Sequence, residues 1–379
     1  VKDIFLKRAA AAALTLLIIS DVLPLNKHLY PFGGISVTAN AADNENVVDL
    51  EKLSGDYKAQ DGDVLTGTLS EDYSVSVADG ATVTLRNAII QYNGINCLGD
   101  ATIVLDGTNS VHGTGNYPGV FIPPDNTLTI NGSGTIIATG GTEGAGIGSG
   151  YNSSCGNITI NGGSVTAAGG SNGAGIGSGF GGSCGTVTID GGNVTATGGT
   201  NGAGIGSGYS GSSCGNITIT GGNVTATGGE NGAGIGSGCF SSSCGNITIT
   251  GGNVTATGGE NAAGIGCGSG GMCGKISISK TARITAKGGS STVSAIGLAT
   301  GEMCGPVTID GDVVKITDSF YLSDNLYPTG GANAVKTADF ENNMITYSAV
   351  DGYHFAPFND IVKDGVTVHR NSRYTVVVS

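Results

Sequence analysis

Four aromatic residues stand at nearly the same point of successive copies of one phrase: Tyr151, Phe180, Tyr209 and, one place later, Phe240. Each is flanked by Ser, Asn, Cys or Gly. Planar rings among small polar groups suit the stacking of sugar rings while their hydroxyls are bonded. The same rings could instead pack on one another at a corner and only stiffen the chain. A second set is a grid of Thr-x-Thr pairs: Thr195 and Thr197, Thr225 and Thr227, Thr255 and Thr257, with Thr218, Thr220, Thr248 and Thr250 on another face. Regularly spaced hydroxyls fit a crystalline polysaccharide or ice. Thr also simply suits exposed strand positions.

The titratable residues say less. Asp79, Asp100 and Asp125 fall at successive corners, as calcium ligands or as solvated turn acids. Glu230 and Glu260 occupy equivalent turns and do not form an acid–base pair, so catalysis is the weaker reading. Cys155, Cys184, Cys214, Cys244, Cys273 and Cys304 recur once per copy, three residues before an apolar strand position. With no C-x-x-C and no neighbouring His, this is not zinc spacing. A ladder of small, partly buried thiols is favoured over disulfides. Asp100 and Asp125 are read at the ladder position in earlier coils. Cys97, Cys239 and Cys267 stand outside the ladder, and nine cysteines leave at least one thiol or intermolecular bond.

What must hold these groups is a repeat. "GAGIGSG" begins at Gly144, Gly173, Gly202 and Gly232 and becomes "AAGIGCG" at Ala262, in steps of 29, 29, 30 and 30 residues. Each copy carries alternating runs such as "NITIT" and "NVTAT" separated by Gly-Gly, a strand signal. Short strands with Gly-rich corners in a period of roughly 30 residues describe a coil of a parallel β-helix. No Leu-x-x-Leu pattern and no βαβ context accompany the glycines, so neither a leucine-rich repeat nor a phosphate loop fits. Stacked coils put Ile158, Val187, Ile217, Ile247, Ile276 and Val307 in one inward column. A parallel column starts at Ile160, and two more run from Val165 to Val314 and from Ile147 to Ile296. "ATVTL", "ATIVL" and "TLTI" extend the register backward, for about nine coils of 20–31 residues between Val83 and Ile309. Residues 42–317 are thus expected to form one all-β solenoid with an N-terminal cap over 42–75. Residues 318–379, richer in aromatics and charge, are expected as a C-terminal cap or small β unit.

The chain has 379 residues, 71 of them Gly, and a formal net charge of −13 with only 16 Lys and Arg, which excludes nucleic acid as a partner. Lys2, Lys7 and Arg8 precede an apolar run over residues 9–20, followed by Ala39 and Ala41; residues 1–41 read as a signal peptide. The run is short for a membrane span, and no later one suggests an anchor. Secretion follows, with or without attachment to the cell surface. The sequence does not set the oligomeric state.

"VADGATVTLRNAII", "CLGDATIVLDGTNSV" and "DNTLTINGSGTIIATGG", leading into "GAGIGSG", resemble secreted carbohydrate-binding β-helix proteins of anaerobic bacteria. The resemblance spans roughly residues 63–317 and is most specific over 77–141. It implies a right-handed parallel β-helix of the polysaccharide-lyase type without required lyase activity. It also implies binding of plant cell-wall polysaccharide, acidic sugars included, with bound calcium; it assigns no calcium ligand here. The expected function is non-catalytic polysaccharide binding. A structural or adhesive surface rod, an ice-binding protein and a polysaccharide lyase are the alternatives.

Overall fold

The computed structural model describes residues 45–279 continuously, residues 281–309 in part and, beyond those, strands between Val314 and Val378. The expected signal peptide lies outside the described residues. No helix among them is long and apolar enough to cross a membrane.

The protein is a parallel β-helix. In a typical coil, Ile147–Gly148 belongs to one sheet, Asn157–Ile160 and Ser164–Ala168 to another, and the corner between them adds a short strand such as Ser183–Cys184 to a third. Each strand pairs in parallel with its counterpart one coil on: Ile158 with Val187, Val165 with Val194, Ile147 with Ile176. Period-two alternation then fixes which side chains face in. Ile158, Ile160, Val165 and Ile147 are all buried, and so are their counterparts in the next coils. Such a coil has no core of its own. Burying one Ile contributes about 1.5–3 kcal/mol, and only the neighbours above and below supply the apolar surface.

The phrase "NGAGIGSG" is explained by polar ladders that run alongside the apolar ones. Ser149, Ser178, Ser207 and Ser237 are fully buried, and their Oγ atoms accept the backbone N–H of Gly179, Gly208, Gly238 and Gly268 in the next coil, at 3.0–3.1 Å. Asn201 Nδ2 donates to Asn172 Oδ1 at 2.8 Å, Asn231 to Asn201 at 3.0 Å and Asn261 to Asn231 at 2.9 Å. Asn172 closes this row by donating to Glu143 Oε2 at 2.9 Å. Gly206, like its counterparts, has a backbone (φ 140°) open to glycine alone, and a Cβ there would overlap the carbonyl of Gly236.

Two features differ from expectation. Residues read as an N-terminal cap continue the stack: Asn46–Asp49 pairs with Asp63–Leu69, which pairs with Ala81–Ile90. Tyr57–Ala59 and Val75–Val77 do the same in the second sheet. The coil count therefore differs slightly from nine. At the far end, Val314 does not stack on Ile284. Tyr374–Val378 lies between their strands, antiparallel to both. A chain segment reversed against the last rungs satisfies N–H and C=O groups that another parallel coil would otherwise have to meet.

Coil size changes along the stack. The register steps from Val75 to Ile95, Val120 and Ile147 are 20, 25 and 27 residues. The added residues enter at two corners: 91–94 becomes 113–119, and 98–100 becomes 122–126 and then 149–156. The outline of the coil widens there, and the wide coils stand beside the narrow ones like a step.

Candidate functional site

The aromatic corner forms as the repeat dictates. Tyr151 and Phe180 stack at 5.2 Å with 25° between their planes. Phe180 to Tyr209 and Tyr209 to Phe240 follow at 5.4 and 5.9 Å, tilted by 58° and 56°. The column is continuous, so each inner ring gives its faces to its neighbours. Phe180 and Tyr209 are half-buried; Tyr151 (44%) and Phe240 (64%) at the two ends are exposed. A sugar meets mainly ring edges along this column. The rings with surface to offer are the terminal ones.

At the Tyr151 end the column meets the step in coil size. A cleft of about 690 Å³ opens there, floored by the narrow coils and walled by the first wide ones. Its floor carries Ser76, Asn96 and Phe121, which the parallel register places in one outward row across three coils. Tyr117, from the corner over 113–119, and Tyr151, from the corner over 149–156, line it from the wide side. Tyr117 is 62% exposed. Asn93, Asn116, Ser74 and Ser153 add amides and hydroxyls around the rim. None of the lining residues carries a charge.

Of the residues lining this cleft, the sequence reading names Tyr151 as a candidate and does not name Tyr117, Phe121, Asn96 or Ser76. The signal for them was present but indirect. It was the shorter spacing of the early copies, which implied a smaller coil and hence a ledge where the large coils begin.

The Thr grid is in place. Thr195, Thr225 and Thr255 pair in register, as do Thr197, Thr227 and Thr257, and all alternate with buried Val and Ala. Neighbouring rungs lie about 4.8 Å apart. Asn253 Nδ2 donates to Asn223 Oδ1 at 2.9 Å along the adjoining row. On the other face Thr220 Oγ1 donates to Asp190 Oδ1 at 2.6 Å. The grid is a flat face of regularly stacked strands.

The acids have local partners. Asp79 Oδ1 accepts the N–H of Asp100 at 3.0 Å, and Asp100 Oδ1 accepts that of Thr127 at 2.7 Å. Asn157, Asn216 and Asn246 do the same for the N–H of Thr186, Asn246 and Lys275 in later coils. Asp100 therefore shares its corner position with these asparagines and not with the cysteines, contrary to the sequence reading. Asp125 sits in an exposed turn with φ 66°. Among the described residues no three His, Cys, Asp or Glu gather to hold a metal ion. Two of the three aspartates act as caps for the next strand.

The thiol ladder is present as expected. Cys184, Cys214, Cys244, Cys273 and Cys304 pair in register, and those from Cys155 to Cys273 are buried. Cys184 Sγ donates to the Gly156 carbonyl at 3.6 Å, and Cys214, Cys244 and Cys273 repeat this toward Gly185, Gly215 and Gly245 at 3.9–4.0 Å. The neighbouring thiols, and then burial, push Cys184 and Cys273 up from the ordinary thiol range. Hydrogen bonds from Cys267 and Cys273 pull Cys304, at the less buried end, down. Cys97, alone in an early coil, is pushed up to about 12 by burial.

The profile of a family described as a beta helix repeat matches residues 128–151, 158–180, 187–209, 217–239 and 247–269. These are the wide coils, and each matched segment begins at an inward apolar strand residue and ends near the aromatic corner. No curated protein and no solved structure matches the chain.

Proposed function

We propose that this parallel β-helix protein binds an extended polysaccharide outside the cell, without catalysis, at the cleft where the narrow coils meet the wide ones. One observation carries the reading. Exposed aromatic rings, Tyr117 and Tyr151, converge with Asn and Ser side chains on one cleft of about 690 Å³, the arrangement that stacks pyranose rings and bonds their hydroxyls. The cleft presents no pair of carboxylates for glycoside hydrolysis. The aromatic column behind Tyr151 stiffens that wall, because Phe180 holds the Tyr151 ring from one side.

The test is retention of the chain on insoluble glycans, with Tyr117→Ala and Tyr151→Ala beside the triple variant Thr195→Ala/Thr225→Ala/Thr255→Ala. Losing one stacking ring costs about 1 kcal/mol or more, so each Tyr variant is expected to bind at least fivefold more weakly. The Thr variant is expected to bind as the parent does. Retention lost only in the Thr variant would move the site to the flat face. No retention on any glycan would leave a structural rod as the better account.

A further inference from the structure

Building on the glycan-binding reading, we infer that the cleft is specific for an uncharged pyranose polymer with equatorial hydroxyls, of the glucan or xylan type, and that it binds without calcium. The resemblance noted above would have included acidic sugars held through calcium; the chemistry of this cleft points elsewhere.

The polar lining is made only of amides and hydroxyls: Asn93, Asn96, Asn116, Ser74, Ser76 and Ser153. Each of these groups both donates and accepts, which matches a sugar hydroxyl that does the same. A uronate carboxylate is acceptor-only and needs a cation or several N–H donors. No Lys, Arg or His lines the cleft. A buried, unpaired carboxylate would lose its hydration without recompense. A charge beside the rim has the wrong sign: Asn93 Nδ2 donates to the Asp72 carboxylate at 2.7 Å. That bond engages one of the three amides lining the cleft and sets a negative group behind it. The net charge of −13 adds to the repulsion of a polyanion.

A bridging cation does not rescue the acidic ligand. Protein carboxylates supply most of the charge in a calcium site, and none lines the cleft, where the protein's side-chain oxygens are neutral amides and hydroxyls. Asp100 belongs to a separate small hollow with Gly80, Thr127 and Thr129, and one of its oxygens already caps Thr127.

The aromatic groups narrow the class further. Tyr117, Tyr151 and Phe121 offer apolar ring surface on two sides of the cleft. A pyranose with all hydroxyls equatorial shows C–H bonds on both faces and can lay either face on such a ring surface. An axial hydroxyl, as in galacturonate, spoils one face.

Titration calorimetry of the full chain with xylan and cellulose oligosaccharides, and with oligogalacturonate, tests this with calcium and then with a chelator. Asn96→Ala and Tyr117→Ala are the variants; both side chains are exposed, and circular dichroism checks that the fold is kept. The expected result is saturable binding of a neutral oligosaccharide, unchanged by chelation and weakened at least fivefold by either substitution. Oligogalacturonate binding that the same substitutions weaken would overturn the inference and leave the polysaccharide reading standing. Neutral binding abolished by the chelator would overturn its calcium-free part. Neutral binding indifferent to both substitutions would remove it from this cleft. Absence of binding to every glycan would overturn both readings together.

Discussion

Two glycines of the same coil allow the close fit between coils to be measured. Gly206 and Gly211 both have positive φ, 140° and 71°. Ala at Gly211 would have no atom within 4 Å of its Cβ, whereas at Gly206 the Cβ would overlap the Gly236 backbone. At Gly211 the cost is that of a left-handed L-residue, about 1–2 kcal/mol. At Gly206 the backbone region itself costs about 1–3 kcal/mol, and the coils must also part. Parting them breaks the bonds from Ser207 N to Gly236 O (3.1 Å), from Ile205 N to Gly234 O (3.0 Å) and from Gly238 N to Ser207 Oγ (3.0 Å). At about 1 kcal/mol each, these bring the total to about 4–6 kcal/mol. Urea unfolding of the two variants, followed by circular dichroism, should show Gly206→Ala shifted several times further than Gly211→Ala. Equal midpoints would refute the reasoning, because they would mean that the coils give way at no cost.

Other expectations concern the polar and thiol groups. Asp63 is 2% exposed and accepts from Asn46 Nδ2 (2.6 Å), Tyr57 OH (2.8 Å) and Gln60 N (2.8 Å). Burial alone would raise this carboxyl, but the three bonds outweigh it and hold it below 3.8. A depressed carboxyl stabilises the fold at neutral pH and stops doing so as pH falls from about 4 through the lowered value. Asp63→Asn should therefore flatten the acid limb of the stability–pH curve; an unchanged limb would count against the assignment. Tyr57 is pushed up to about 12 by burial and then by its bond to Asp63, so its contribution holds below pH 10 and is lost as pH rises toward 12. Tyr57→Phe should blunt the loss of stability in alkali, read in the same titration. Asn201→Ala interrupts the amide row and should cost about 1–3 kcal/mol in chemical unfolding, since Asn172 and Asn231 each lose a partner. Timed alkylation with peptide mapping should label Cys304 early, and below the pH an ordinary thiol needs, with the buried Cys97, Cys184, Cys244 and Cys273 late; uniform labelling would contradict the ladder.

The sequence made the wide coils legible because their chemistry repeats. Ile158, Val187 and Ile217 recur at a fixed interval, alternate with Thr, and have only one way to stack. The pairings bear out those columns rung by rung. The beginning of the stack was harder to read. Val47, Val64 and Val75 have the same alternation, but their coils are short and share no phrase with the later ones, so they looked like a cap. The role of Asp79 and Asp100 was hidden for a related reason. An acid and an amide cap a strand equally well, so the column changes from Asp to Asn without changing its function. Val314 was misplaced because its periodicity is correct, and the strand that displaces it, Tyr374–Val378, lies far along the chain. The cleft was least visible. It belongs to no repeat; it arises where one repeat length gives way to another.

The amide row from Asn261 to Glu143 runs in one direction, each side chain donating to the coil before it and accepting from the coil after it. Glu143 ends the row as an acceptor alone. A coil in the interior therefore hands its neighbour the same fittings that it receives and is interchangeable with it. Excising residues 202–231 would bring Asn201 opposite Asn261 and close every ladder again; a tandem duplication of the same segment would do likewise. Copy number can then drift through recombination with little effect on folding, while the cleft stays at the step upstream of Glu143. Such a gene could lengthen or shorten its rod without altering the cleft, so that reach and the shape of the proposed site would evolve as separate traits.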